Sequence, residues 1–250
     1  MKIAIASLGG IKRMEISLSH GGLGDCFIAI LKILEYERPL IHTHIDNNKN
    51  PERLELAKDL LDYFEIENDC YTVNNIRRWW GEHHKNFDKH FNVCAKGYIN
   101  IPRRSYHWEP CRDEGFSEAF AKYIPPKKNF IAVQVEAGMN STRNHKIKPV
   151  VEYVRNNYDP DKVLWFGIDN DFIPEFGINY SGKLDFIPAL EKIRECKYFV
   201  GFNSILLYWA LWHKTECFLF TDHQGREDLR IHDEWKKYLS FDLDMEMKNG

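Results

Sequence analysis

Apolar residues fall along this chain in short bursts, and the spacing within each burst separates strands from helices. Residues 2–7 and 15–19 are brief β-prone runs parted by Gly9 and Gly10, which fits a hairpin or two neighbouring strands. From residue 26 to about 36 the apolar positions recur at three- and four-residue intervals, the period of a helix with one buried face. Residues 39–45 predict a buried strand whose His42 and His44 share a face. Pro51 then suits the first position of a helix over 51–64, where its missing N–H costs nothing. Residues 70–73 predict a further short strand. Strand, helix, strand, helix, strand is the order of a parallel sheet covered by helices.

Between residues 77 and 112 the period is lost in a stretch rich in Trp, His, Arg and Lys. Pro125-Pro126-Lys127-Lys128 reads as a linker, because a double proline stiffens the chain and forbids helix. A second series follows: strand 130–135, helix 148–157, strand 162–167, a short strand near 178–180 and helix 185–196. Strand 198–202, helix 204–212, strand 216–221 and a polar helix from His232 complete it. The chain is thus expected to be an α/β protein of two Rossmann-like lobes with parallel sheets facing a central cleft. The lobes span residues 1–125 and 126–250, with ligands expected at the C-terminal ends of the strands.

Composition narrows the function classes. The 250 residues carry 34 Lys and Arg against 37 Asp and Glu, so the chain lacks the strongly basic balance of a dedicated nucleic-acid binder. The longest apolar run, residues 205–212, falls far short of the ~20 residues that span a bilayer, so no transmembrane segment is expected. The first ten residues are too short and too broken by glycine for a secretory signal. Cys26, Cys70, Cys94, Cys111, Cys196 and Cys217 show no C-x-x-C or paired Cys/His spacing. They read as small buried hydrophobes in a reducing compartment, the cytoplasm.

Three places carry candidate chemistry. His20-Gly21-Gly22-Leu23-Gly24-Asp25 joins a predicted strand to a predicted helix, a geometry that presents backbone N–H groups to an anion. Asp25 there is either an N-cap of the helix or a carboxylate placed as a general base. The loop after strand 130–135 holds Ser141, Thr142, Arg143 and Lys146, hydroxyl donors and fixed positive charge suited to a diphosphate. Gly201-Phe202-Asn203-Ser204 leads into an apolar helix, with Asn203 or Ser204 as its N-cap and both able to face the cleft.

These pieces, in this order, resemble the lipopolysaccharide heptosyltransferase family of GT-B glycosyltransferases. LSHGGLGDCFIAI resembles that family's first strand and Leu-Gly-Asp turn. STRNHKIKP resembles its Thr-Arg-x-x-Lys-x-Trp-Pro loop, with Ile147-Lys148 where a basic residue and Trp are usual. SGKLDFIPALEKIRECKYFVGFNSILLYWAL resembles the segment running from Gly-Lys through a helix to Asp-(Ser/Thr)-Gly and a His-bearing helix. The match covers most of residues 130–222 and a short stretch near residue 25.

The resemblance implies an inverting glycosyltransferase of the metal-independent kind, taking a nucleotide-diphosphate sugar as donor and needing no cofactor. Asp25 matches the proposed base that deprotonates the acceptor hydroxyl. Gly24, Ser141, Thr142, Arg143 and Lys146 match the donor side, holding the phosphates and stabilising charge on the leaving nucleotide. Asn203 and Ser204 match the Asp-(Ser/Thr) pair. Asn203 stands for the acidic residue, Ile205 for the following glycine and Tyr208 about where histidine is common, and the chain is shorter than typical members. Asn203 can still donate and accept hydrogen bonds but carries no charge, which allows a different donor sugar or nucleotide. The shorter chain implies a trimmed acceptor side whose acceptor need not be a lipid-linked sugar.

The acceptor stays open. Arg77, Arg78, Arg103 and Arg104 are interleaved with Trp79, Trp80, Tyr98, Tyr106 and Trp108, a mixture that suits a glycan, a nucleic acid or an ordinary irregular surface. Asp169-Asn170-Asp171 has the form of a D-x-D metal motif and His83-His84 with His90 that of a metal cluster; solvated loops explain both. A nucleotide-sugar hydrolase or epimerase, and a non-catalytic nucleotide-binding module, fit the same residues.

Overall fold

A computed structural model describes residues 15–19, 23–34, 39–46, 52–73, 89–92, 126–135, 147–168, 173–221 and 233–242. The first sheet is built from β1 (Glu15–Ser19), β2 (Leu40–Asp46), β3 (Asn68–Val73) and β4 (Lys89–Asn92), in the order β3-β2-β1-β4 and parallel throughout. Helices α1 (Leu23–Ile33) and α2 (Glu52–Tyr63) make the crossovers. In α2 the buried positions are Leu54, Ala57, Leu60 and Leu61, one stripe at helical spacing, while Glu52 and Glu55 complement the positive end of its dipole.

Two details differ from expectation. Helix α1 starts at Leu23 rather than Cys26, so Gly24 and Asp25 lie in its first turn and Asp25 is not its N-cap. Strand β4 comes from the stretch with no period, because its four residues at a sheet edge are too few to show an alternation. The strand expected over residues 2–7 lies outside the described residues.

The second sheet runs β10-β9-β8-β5-β6-β7, again parallel. Its strands are β5 (Lys128–Gln134), β6 (Val163–Phe166), β7 (Ile178–Asn179), β8 (Cys196–Gly201), β9 (Glu216–Phe220) and β10 (Leu239–Asp242). They alternate with α3 (Ile147–Asn157), α4 (Phe186–Arg194), α5 (Ile205–Trp212) and α6 (Asp233–Lys236). Side chains take turns along each strand. Ile131, Val133, Val163, Trp165 and Val200 pack beneath α3, and Ala132, Leu164, Phe166, Phe199 and Leu219 face the opposite way. The expected closing helix is a single turn, Asp233–Lys236, and the sheet gains β10 after it. Lys127-Lys128 is not free linker, since Lys128 already begins β5.

The two sheets meet through helices. Seven of the eight residues of α5 are buried, as an all-round apolar helix requires. One side of α5 rests on the second sheet; the other packs on α1 and α2, and a single core cluster includes residues from both sheets. At its centre Trp209, fully buried, lies 5.5 Å from the rings of Phe27 and Tyr63 and 6.3 Å from Phe64. Trp212 adds edge contacts to Phe27 and Phe64 at 5.6 and 5.7 Å. At the rim, Tyr63 Oη of α2 donates a 2.5 Å hydrogen bond to Glu191 Oε1 of α4, and Glu191 pairs with Arg194.

Because one core serves both sheets, Trp209→Ala is expected to destabilise the whole chain by about 3–5 kcal/mol. Urea unfolding followed by near- and far-ultraviolet circular dichroism should stay a single transition at lower midpoint. Two separated transitions, one unmoved by the substitution, would contradict the shared core.

Candidate functional site

In a parallel sheet the strand C-termini and the following helix N-termini gather on one edge. On that edge of the second sheet β8 ends at Gly201, and Phe202-Asn203-Ser204 turns the chain into α5. Ser204 holds the N-cap position in extended backbone (φ −158°, ψ 176°), yet its side chain makes no cap hydrogen bond. Its hydroxyl instead donates to Gln134 Oε1 at 2.8 Å. The same oxygen accepts the N–H of Phe202 at 3.4 Å. Ser204 is therefore an N-cap by position only, and Asn203 is half-buried beside it.

The first sheet brings α1 to the same place. A Cβ on Gly24 would lie 3.1 Å from two ring carbons of Tyr208 and 3.5 Å from the backbone nitrogen of Ile205. The first turns of α1 and α5 are thus in contact, and a side chain at position 24 would have to push the Tyr208 ring aside by a few tenths of an ångström. Two helix N-termini side by side give the locality a positive potential from their backbone dipoles.

Of the residues singled out in the sequence, the structure brings together Gly24 and Asp25 in the first turn of α1 with Asn203 and Ser204 at the head of α5. Ser141, Thr142, Arg143 and Lys146, and Arg77, Arg78, Arg103 and Arg104, lie outside the described residues. So do Asp169-Asn170-Asp171 and His83-His84. Among the described residues no group of three or more His, Cys, Asp or Glu side chains is placed to hold a metal ion. No helix among them is long and apolar enough to cross a membrane.

Gln134 is the site residue that sequence inspection missed. The signal was a lone polar residue in the apolar run Phe130-Ile131-Ala132-Val133-Gln134-Val135. It is 3% exposed and accepts both hydrogen bonds of the turn.

Strongly shifted titratable groups gather at the opposite edge of the second sheet, where β8 and β9 begin. Lys127 Nζ donates to the carbonyl of Arg194 at 2.6 Å and to Thr215 Oγ1 at 2.7 Å, and burial draws its ammonium down to about 8. Burial pushes the Cys196 thiol up to about 12 and Cys217 well above its ordinary value. Cys26, Cys196 and Cys217 are buried and Cys70 is half-buried, as expected of small hydrophobes. Burial pulls His213 down to about 3, against a smaller upward pull from the Trp209 carbonyl 2.9 Å from Nδ1. These shifts sit with α5's buried C-terminal end, away from the turn, and reflect packing.

No family model matches the chain, and no curated protein matches it in sequence. Solved structures do show similarity, each of those below at a TM-score under 0.5. The bacterial iron-containing dodecameric glycosyltransferase TibC of enterotoxigenic E. coli aligns at 15% identity with a TM-score of 0.47, over 84% of this chain and 58% of that one. A second TibC structure, in complex with ADP-D-beta-D-heptose, gives 13% identity and a TM-score of 0.49 over the same shares. The E. coli ADP-heptose lipopolysaccharide heptosyltransferase II gives 12% identity and 0.43, over 83% of this chain and 84% of that one. This chain spans 58% of the length of TibC.

The buried neutral His213 carries a pH signature. Its folded value lies below its ordinary 6.5, so the unfolded chain takes up a proton that the folded chain refuses. Its share of stability is full above pH 6.5 and is lost as pH falls toward 3, at up to about 1.4 kcal/mol per pH unit. His213→Gln should flatten the acid limb of a plot of unfolding free energy against pH relative to the parent. Parallel limbs would show that His213 is not held neutral.

Proposed function

We propose that this chain is a glycosyltransferase that moves a sugar from a nucleotide-diphosphate donor to an acceptor hydroxyl, with inversion and without a metal. The observation that carries it is the contact of Gly24 with Ile205 and Tyr208, which sets the Leu-Gly-Asp turn beside the Asn203-Ser204 turn. These two turns, far apart in sequence, are the ones whose resemblance assigns base and donor pocket. Their meeting is what a direct displacement needs, with the base on one side of the sugar and the leaving diphosphate on the other.

In this mechanism the carboxylate of Asp25 takes the proton of the acceptor hydroxyl as its oxygen attacks the anomeric carbon. The bond from that carbon to the donor's phosphate oxygen breaks, and the diphosphate leaves with the electron pair. Lys146 and Arg143 neutralise its charge while Thr142 and Ser141 donate hydrogen bonds to it, helped by the helix-terminal amides near Asn203 and Ser204. Asn203 is neutral where the resembled family carries an acid, so it hydrogen-bonds the donor without repelling its phosphates. Arg77, Arg78, Arg103 and Arg104 contribute to acceptor choice, which a glycan or a nucleic acid would fit. TibC was solved with a nucleotide sugar, which agrees in kind with such a donor.

Screening ADP, GDP, UDP, CDP and dTDP and their sugar conjugates by thermal shift should single out at least one that raises the melting temperature. With that donor, sugar transfer should fall at least about a hundredfold in Asp25→Ala, the scale of general-base catalysis. Full activity in the variant removes Asp25 from the mechanism; no shift from any nucleotide removes the transferase itself. Free sugar or an isomer in the absence of acceptor would point to a hydrolase or epimerase instead.

A further inference from the structure

The hydrogen bonds at the end of β5 bear on a residue that the proposed chemistry does not use. Strand β5 pairs with β8 through Val133 and Val200, so Gln134 stands next to Gly201 at the finish of both strands. Its neighbours on the same face, Ala132 and Phe199, belong to the core shared by the two sheets. A polar side chain in that setting costs free energy unless its hydrogen bonds are met. Gln134 meets them by leaning over Gly201: a Cβ there would fall 2.7 Å from Gln134 Cβ and 3.1 Å from Oε1. Gly201 must therefore be glycine for Gln134 to reach the turn. A backbone N–H can only donate, so the bond from Phe202 fixes the amide with its oxygen toward the turn. The hydroxyl of Ser204 is then drawn away from the first amides of α5, which explains the missing cap bond.

We infer that Gln134 is a positioning residue of the donor site: its amide oxygen, through Phe202 and Ser204, sets the 201–204 turn that presents Asn203 and the head of α5 to a nucleoside diphosphate. This rests on the proposed transferase function for its ligand, though not for its geometry. Gln134 touches no reacting atom. It acts through the turn, and Ser204 and Gln134 form one unit in which loss of either partner undoes the same bond.

The test uses the full chain with ADP, GDP, UDP, CDP, dTDP and inorganic pyrophosphate as probes, read by calorimetry, alongside hydrogen exchange of residues 202–206. Gln134→Leu should weaken the best-bound diphosphate about tenfold, the scale of one or two lost hydrogen bonds, and speed exchange at Phe202. Adding Ser204→Ala to Gln134→Leu should cost no more than Gln134→Leu alone. Should Gln134→Leu fail to fold, Gly201→Ala is the second variant, because its methyl group drives Gln134 off the turn. Parental affinity and exchange in a folded Gln134→Leu or Gly201→Ala chain overturn the inference, as do losses from Gln134 and Ser204 that multiply. Faster exchange in a chain whose parent binds none of the diphosphates overturns the transferase proposal alone and leaves the placement of the turn standing.

Discussion

Everything else in this molecule depends on how α5 is buried. Eight residues, Ile-Leu-Leu-Tyr-Trp-Ala-Leu-Trp, form a helix with no polar face, and such a helix must be covered on all sides. The second sheet covers one side. Helix α4 and the first sheet's helices α1 and α2 cover the rest, with Phe27, Tyr63 and the adjoining Phe64 against Trp209 and Trp212. The hydrophobic area buried there holds the two sheets together and sets the positions of their helices.

That packing has a direct consequence for the candidate site. Since α1 packs on α5, the first turns of the two helices come side by side, at a spacing that Gly24 permits against Tyr208. Gly201 plays the matching part on the second sheet, where its bare Cα lets Gln134 cross to Ser204. Two glycines thus do related work at the two turns. One admits a neighbouring helix, the other a neighbouring side chain. His213, Lys127, Cys196 and Cys217, all strongly shifted by burial, cluster at the far end of α5 and belong to its packing.

Much of the fold was legible because hydrophobic periods are local. The unbroken apolar run Phe130-Ile131-Ala132-Val133 and the three-to-four spacing in α2 are visible within a few residues. Strand β4 and strand β10 were not, because four-residue edge strands carry too few positions to show a period. Of the candidate site, Asp25, Asn203 and Ser204 could be picked from motif order. Their meeting could not, since it depends on how α5 docks on α1. Gln134 escaped for a similar reason: a glutamine in a strand becomes informative only once its hydrogen-bond partners, Phe202 and Ser204, are known.

The central claim is that the heads of α1 and α5 form one ligand site. Backbone amide NMR during titration with the best-bound nucleoside diphosphate tests it most directly. The claim predicts that amides of residues 23–26 and 203–207 shift together along one saturable curve. A ligand that binds while leaving either group unmoved would contradict it.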